Sequence, residues 1–116
     1  MPNLVIRHIV AHKTTDSGDD DLVVNTRTDG GAFTERWEGN ISSGPIGYQN
    51  INLTFGFTNN IEVYLYDQDS NNGRLDIGDD DIIGHFQART TDVGTGEKKQ
   101  WMYQHGSKYE ITWRVD

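Results

Sequence analysis

Ten of the chain's eighteen carboxylates fall in two short stretches, TDSGDDD at 15–21 and DQDSNNGRLDIGDDD at 67–81, with Arg74 the only cation among them. The rest of the chain carries nine cations against eight anions, so the formal charge of −8 is local to these two stretches. Like charges about 4 Å apart repel by roughly 4 kcal/mol at an effective dielectric near 20. Carboxylates gathered this densely call for neutralisation, and a divalent cation supplies it. The donors are Asp and Asn oxygens in glycine-containing loops, which suits the six to eight oxygen ligands and flexible shell of Ca²⁺. Zinc would recruit His or Cys, and neither stretch contains one. Magnesium prefers fewer protein ligands.

Both stretches connect strands. In KYEITWRV, Tyr109, Ile111, Trp113 and Val115 alternate with Lys108, Glu110, Thr112 and Arg114, the period of a half-buried strand. Noisier runs of the same kind cover 3–13, 22–28, 32–38, 51–57, 60–66, 82–89 and 98–104, each bounded by Gly, Asn or Asp. Gly30-Gly31, Asn59-Asn60 and 94–96 mark tight connections, and the Asn-Asn pair suits a two-residue hairpin. Eight short strands without intervening helices predict an all-β fold, a single antiparallel eight-stranded β-sandwich forming one domain over 1–116. If the strand ending near Lys13 and the one ending near Tyr66 are neighbours, the two acidic loops emerge at one end.

These residues carry a family resemblance. IEVYLYDQD followed by DDDIIG resembles the signature of the protein kinase C conserved-region-2 (C2) domain, in which a strand ends in Asp-x-Asp and an Asp-x-Ile-Gly opens the next. VAHKTTDSGDDDLVV resembles that family's first calcium loop. The resemblance implies a C2-like sandwich with Asp16 and Asp20 as first-loop ligands, Asp67 and Asp69 as the third-loop pair, and Asp81 as the closing ligand. Asp19, Asp21 and Asp80 are adjacent alternates. The insert SNNGRLDIGD is longer than the family pattern and offers Asn71, Asn72 or Asp76 to a second ion. It approximates EF-hand spacing, but Gly73 comes one place late and no Glu closes the twelfth position. Two or three Ca²⁺ ions bridging the loops follow from this reading. The family's membrane contacts use basic and apolar loop tips, whereas the tips here offer only Arg74, Leu75 and Ile77. An anionic lipid headgroup, another protein or a glycan are the alternative partners, and a Ca²⁺-dependent lectin-like domain is the alternative function.

Other classes find little support. The absence of cysteine excludes disulfides and zinc-thiolate sites. Lys98-Lys99 is too small a basic cluster for duplex nucleic acid. There is no Gly-x-Ser-x-Gly elbow, phosphate-cradling glycine loop or Cys nucleophile, so the expectation is a binding module and not an enzyme. His8, His12, His85 and His105 lack metal spacing and are expected in structural or surface positions. The tryptophans and tyrosines are expected to pack in the core or across strands, with one or two available to stack on a sugar. The start MPNLVIRHIV has neither a cationic n-region nor a long apolar stretch, and no window approaches the roughly 18 apolar residues of a spanning helix. The expected location is cytoplasmic, or exported without a classical signal peptide. Under that expectation the glycosylation patterns at Asn40 and Asn52 read as chance matches.

Overall fold

The computed structural model describes residues 2–14, 20–41, 47–67 and 81–116, with the side chains at 20, 47–49, 81 and 105 also outside the description. Eight strands follow one another: β1 (Asn3–Lys13), β2 (Asp20–Thr28), β3 (Phe33–Ile41), β4 (Gly47–Gly56), β5 (Asn60–Asp67), β6 (Asp81–Arg89), β7 (Lys98–Met102) and β8 (Lys108–Val115). Short 3₁₀ turns at Thr90–Asp92 and Gln104–Gly106 flank β7. The strands form two four-stranded sheets, A in the order β4-β1-β8-β7 and B in the order β3-β2-β5-β6, and every paired strand runs antiparallel. The expected eight-stranded sandwich is therefore what this chain forms.

Alternation places the core. Ile61, Val63 and Leu65 of β5 and Tyr109, Ile111, Trp113 and Val115 of β8 turn inward and are buried. In β1 the alternation is broken by a register shift between Ile6 and His8. One unopposed residue there puts Leu4, Ile6, Ile9 and Ala11 all in the core, although Ile6 and Ile9 are three apart. That bulge is why the period of this strand looked noisy. Phe86 of sheet B stacks on Trp113 of sheet A with ring centroids 4.9 Å apart, tying the layers together. At Gly84 the layers approach closely, because a Cβ at that position would lie 2.5 Å from Met102 Cγ.

Two expectations about connections are corrected. Asn59-Asn60 does not close a hairpin, because β4 belongs to sheet A and β5 to sheet B, so this link crosses between layers. The tight hairpin joins β2 and β3 instead: Asp29 and Gly30 take φ of 53° and 73°, and Gly31 N–H donates to the Thr28 carbonyl at 2.9 Å. Two successive residues at positive φ match the right-handed twist of the flanking strands, and Asp-Gly tolerates that conformation. Nor are β1 and β5 neighbours, since they lie in opposite sheets. The strand that follows the first acidic loop, β2, is the one that pairs with β5. Because that pairing is antiparallel, the start of β2 and the end of β5 still meet at one pole.

Candidate metal centre

Four of the ten expected ligands lie on strand ends that the structure describes, and all four are at this pole. Asp20 and Asp21 open β2, Asp67 closes β5 and Asp81 opens β6. Asp67 stands in register with Leu22 on one side and with Asp81 on the other, and Asp20 lies two residues before Leu22. Three adjacent strands thus deliver aspartates to one edge of sheet B. Asp16, Asp19, Asp69, Asn71, Asp76 and Asp80 lie outside the described residues, as do the side chains of Asp20 and Asp81.

Asp67 is the residue on which the site turns. It shares the inward face with its partner Leu22, and at 3 % exposure its carboxylate is buried at the mouth of the sandwich. The Asp21 backbone N–H donates to Asp67 Oδ1 at 2.9 Å, so the start of β2 is pinned to the end of β5 through that carboxylate. Asp21 itself takes the outer, exposed side, where its Oδ1 accepts from Asn40 Nδ2 at 2.9 Å. The chain Asn40, Asp21, Asp67 links three strands at the rim. Asn40 was not among the expected site residues; its place opposite Asp21 depends on the β2–β3 register, which spacing alone does not reveal.

The donor set suits a hard cation. Every expected ligand is an Asp or Asn oxygen, and the described one that points between the sheets is a buried carboxylate, a group that is costly to hold without a compensating charge. Among the described residues no three Asp, Glu or His side chains converge on one point. The histidines take other roles: His85 stacks on Tyr64 at 5.1 Å, and His12 stacks on Trp101 at 5.2 Å.

Beside this pole, the outer face of sheet A carries a mixed aromatic and charged patch. Glu110 Oε2 lies 3.1 Å from Lys99 Nζ, and its Oε1 lies 3.3 Å from His12 Nε2. Burial pushes the Glu110 carboxyl up, but the hydrogen bonds from Lys99 and His12 outweigh it and hold the group below the usual glutamate range. Lys108 Nζ stands 5.5 Å from the Trp101 ring centre. Trp101 and Tyr103 remain 38 % and 60 % exposed and are thus aromatics left available for stacking. Trp113, Tyr66 and Tyr109 are buried as expected.

No family model matches the chain, and no curated protein matches it. Among solved structures, one described as "Structure of a C2 domain" superposes with a TM-score of 0.57 at 13 % identity, covering 100 % of this chain and 99 % of that one. No helix among the described residues is long and apolar enough to cross a membrane. The two-layer, eight-stranded arrangement is thus that of a sandwich with the fold of a C2 domain.

Proposed function

We propose that residues 1–116 form one Ca²⁺-binding module, in which two or three ions held between the loops at 15–19 and 68–80 neutralise the acidic pole and present it to a partner. The observation that carries this reading is the buried Asp67 carboxylate, seated between the strand ends that bring Asp20, Asp21 and Asp81 to the same edge. The C2-like fold supports it, since the resemblance at IEVYLYDQD and DDDIIG implies ion ligands at this same end. The role is binding and not catalysis. Calorimetric titration with Ca²⁺ and with Mg²⁺ tests it, and the expected result is a saturable Ca²⁺ isotherm that Asp67→Asn weakens. An isotherm unchanged in that variant would sink the assignment.

A Ca²⁺-dependent carbohydrate-binding role is the second reading. Exposed Trp101 and Tyr103 favour it: their rings are inclined by only 13° to each other, with Trp101 in β7 and Tyr103 just past its end, where Met102 pairs with Tyr109 beside the end of β1. Retention on vesicles containing anionic lipid, compared with retention on immobilised glycans, each with and without chelator, separates the two. Glycan retention lost in Trp101→Ala selects the lectin-like reading. Lipid retention that survives the substitution selects the other.

A further inference from the structure

The outer face of sheet A departs from the charge of the chain as a whole. Where β1, β8 and β7 run side by side, Lys13 stands directly opposite Lys108, and Trp101 directly opposite Glu110. Alternation turns Lys108 and Glu110 outward, because Tyr109 and Ile111 belong to the core. His12 joins them through its 3.3 Å approach to Glu110 Oε1 and its stacking on Trp101. Three lysines, Lys13, Lys99 and Lys108, share this corner with one glutamate, a local positive surplus in a chain whose formal charge is −8.

Two features of this corner have no use in the fold itself. Like charges directly opposite in an antiparallel pair destabilise it. Glu110 is taken up by Lys99 at 3.1 Å and by His12, and among the described residues neither Lys13 nor Lys108 has a carboxylate partner. Lys108 Nζ lies instead 5.5 Å from the Trp101 ring centre. Beside it, Trp101 and Tyr103 stay exposed with centroids 6.3 Å apart and planes inclined by 13°. Near-parallel rings open to water offer apolar faces, and the C–H face of a pyranose covers such a face while its hydroxyls stay solvated. The unpaired lysines narrow the ligand to an anion. Lys13 ends β1 immediately before the acidic stretch at 15–21, whose field repels a long polyanion. A sugar ring that carries its own carboxylate brings the charge and the C–H face together in one small ligand.

We propose that Trp101, Tyr103, Lys13 and Lys108 form a binding site for acidic sugars, pyranose rings bearing a carboxylate, on the outer face of sheet A, and that it engages them without calcium. The aromatic rings take the C–H face and the paired lysines take the carboxylate. Beside them the Glu110 carboxylate accepts from sugar hydroxyls and the Lys99 ammonium donates to them. The site rests on the carbohydrate-binding reading for its aromatic pair but not for its metal, so the two part company in chelator.

Calorimetric titration of the whole chain with a β-linked glucuronate trisaccharide and with cellotriose, the same backbone bearing hydroxymethyl groups in place of carboxylates, tests the site. The Trp101 indole N–H resonance is followed in parallel. In chelator the glucuronate should bind saturably and move that resonance, and cellotriose should bind about tenfold more weakly. Lys108→Gln and Lys13→Gln should each weaken glucuronate about three- to fivefold and leave cellotriose within about twofold. Tyr103→Ala, a change at an exposed position that leaves the core untouched, should weaken both sugars about tenfold. Glucuronate binding that requires Ca²⁺ would return the sugar to the metal pole, overturning this site while leaving the carbohydrate-binding reading in place. Equal affinity for the two sugars, or an isotherm indifferent to both Lys108→Gln and Tyr103→Ala, would overturn it as well. Retention on anionic-lipid vesicles that Lys108→Gln abolishes, with neither sugar bound, would make the corner a headgroup site and refute the sugar assignment.

Discussion

Replacing Asp67 by Asn separates the charge of the acidic pole from its geometry. The amide keeps an Oδ1 able to accept the Asp21 N–H now held at 2.9 Å, so the link between β2 and β5 survives. What is lost is a negative charge in register with Asp81. Residues directly opposite in a sheet carry Cβ atoms about 5 Å apart, and two unit charges at that distance repel by roughly 3 kcal/mol at an effective dielectric near 20. Against this, exchanging a charged acceptor for a neutral one forfeits about 1 kcal/mol of hydrogen bonding. In chelator, then, Asp67→Asn should be the more stable protein by about 1–2 kcal/mol, or roughly 4–10 °C in Tm for a domain of this size. Calcium reverses the benefit. At a hundredfold excess over Kd the native chain gains about 2.7 kcal/mol, whereas a variant binding tenfold more weakly gains only about 1.4 kcal/mol at the same concentration. Melting curves of both proteins in chelator and in Ca²⁺ test this, and 1 M NaCl should shrink the difference seen in chelator. A variant that melts below the native chain in chelator would show that Asp67 serves an internal ion pair. Equal calcium-induced shifts in the two would refute the metal assignment.

Gly84→Ala should destabilise the sandwich, because the new Cβ would meet Met102 Cγ at 2.5 Å and Cβ at 2.7 Å, and the latter atom is fixed to the backbone. Overpacking of this kind costs about 1–3 kcal/mol. A lowered urea midpoint, partly restored by adding Met102→Ala, is the expected result, and an unmoved midpoint would mean that the layers separate freely there. Asp29 accepts backbone N–H groups from Thr58, Asn59 and Asn60 at 3.0, 2.6 and 3.0 Å, binding the β2–β3 hairpin to the crossover before β5. The Asn59 bond, followed by those from Asn60 and Thr58, holds its carboxyl below the ordinary value of 3.8. A depressed folded-state value means that the contribution is fully present above about pH 4 and is lost as pH falls through the folded value. Asp29→Asn, which tolerates the same positive φ, should therefore flatten the acid limb of a Tm-against-pH curve; an acid limb that keeps its slope would assign it to other carboxylates.

The strands were legible because burial on one face writes itself into the sequence with period two, as in KYEITWRV. Where the sequence misled, a residue had been inserted into that period. The bulge in β1 hides the core face of a strand, and the one in β3 hides the fact that Glu35 and Glu38 share a side. Neither leaves a mark in local composition, because a bulge is chosen by the partner strand. The same holds for connectivity. Asn59-Asn60 has the residues of a hairpin, but whether a turn joins neighbours or crosses between layers depends on which strands pair, a property of the whole chain. The acidic pole survived the error about β1 and β5 for a definite reason. Any antiparallel pairing of β2 with β5 brings the start of one to the end of the other, whichever sheet holds β1. Asp-x-Asp at a strand's end and Asp before Ile-Ile-Gly at the next strand's start are local signals. Antiparallel order alone converts them into proximity, so the gathering of Asp20, Asp21, Asp67 and Asp81 at one pole could be foreseen while Asn40, the hydrogen-bonding partner of Asp21, could not.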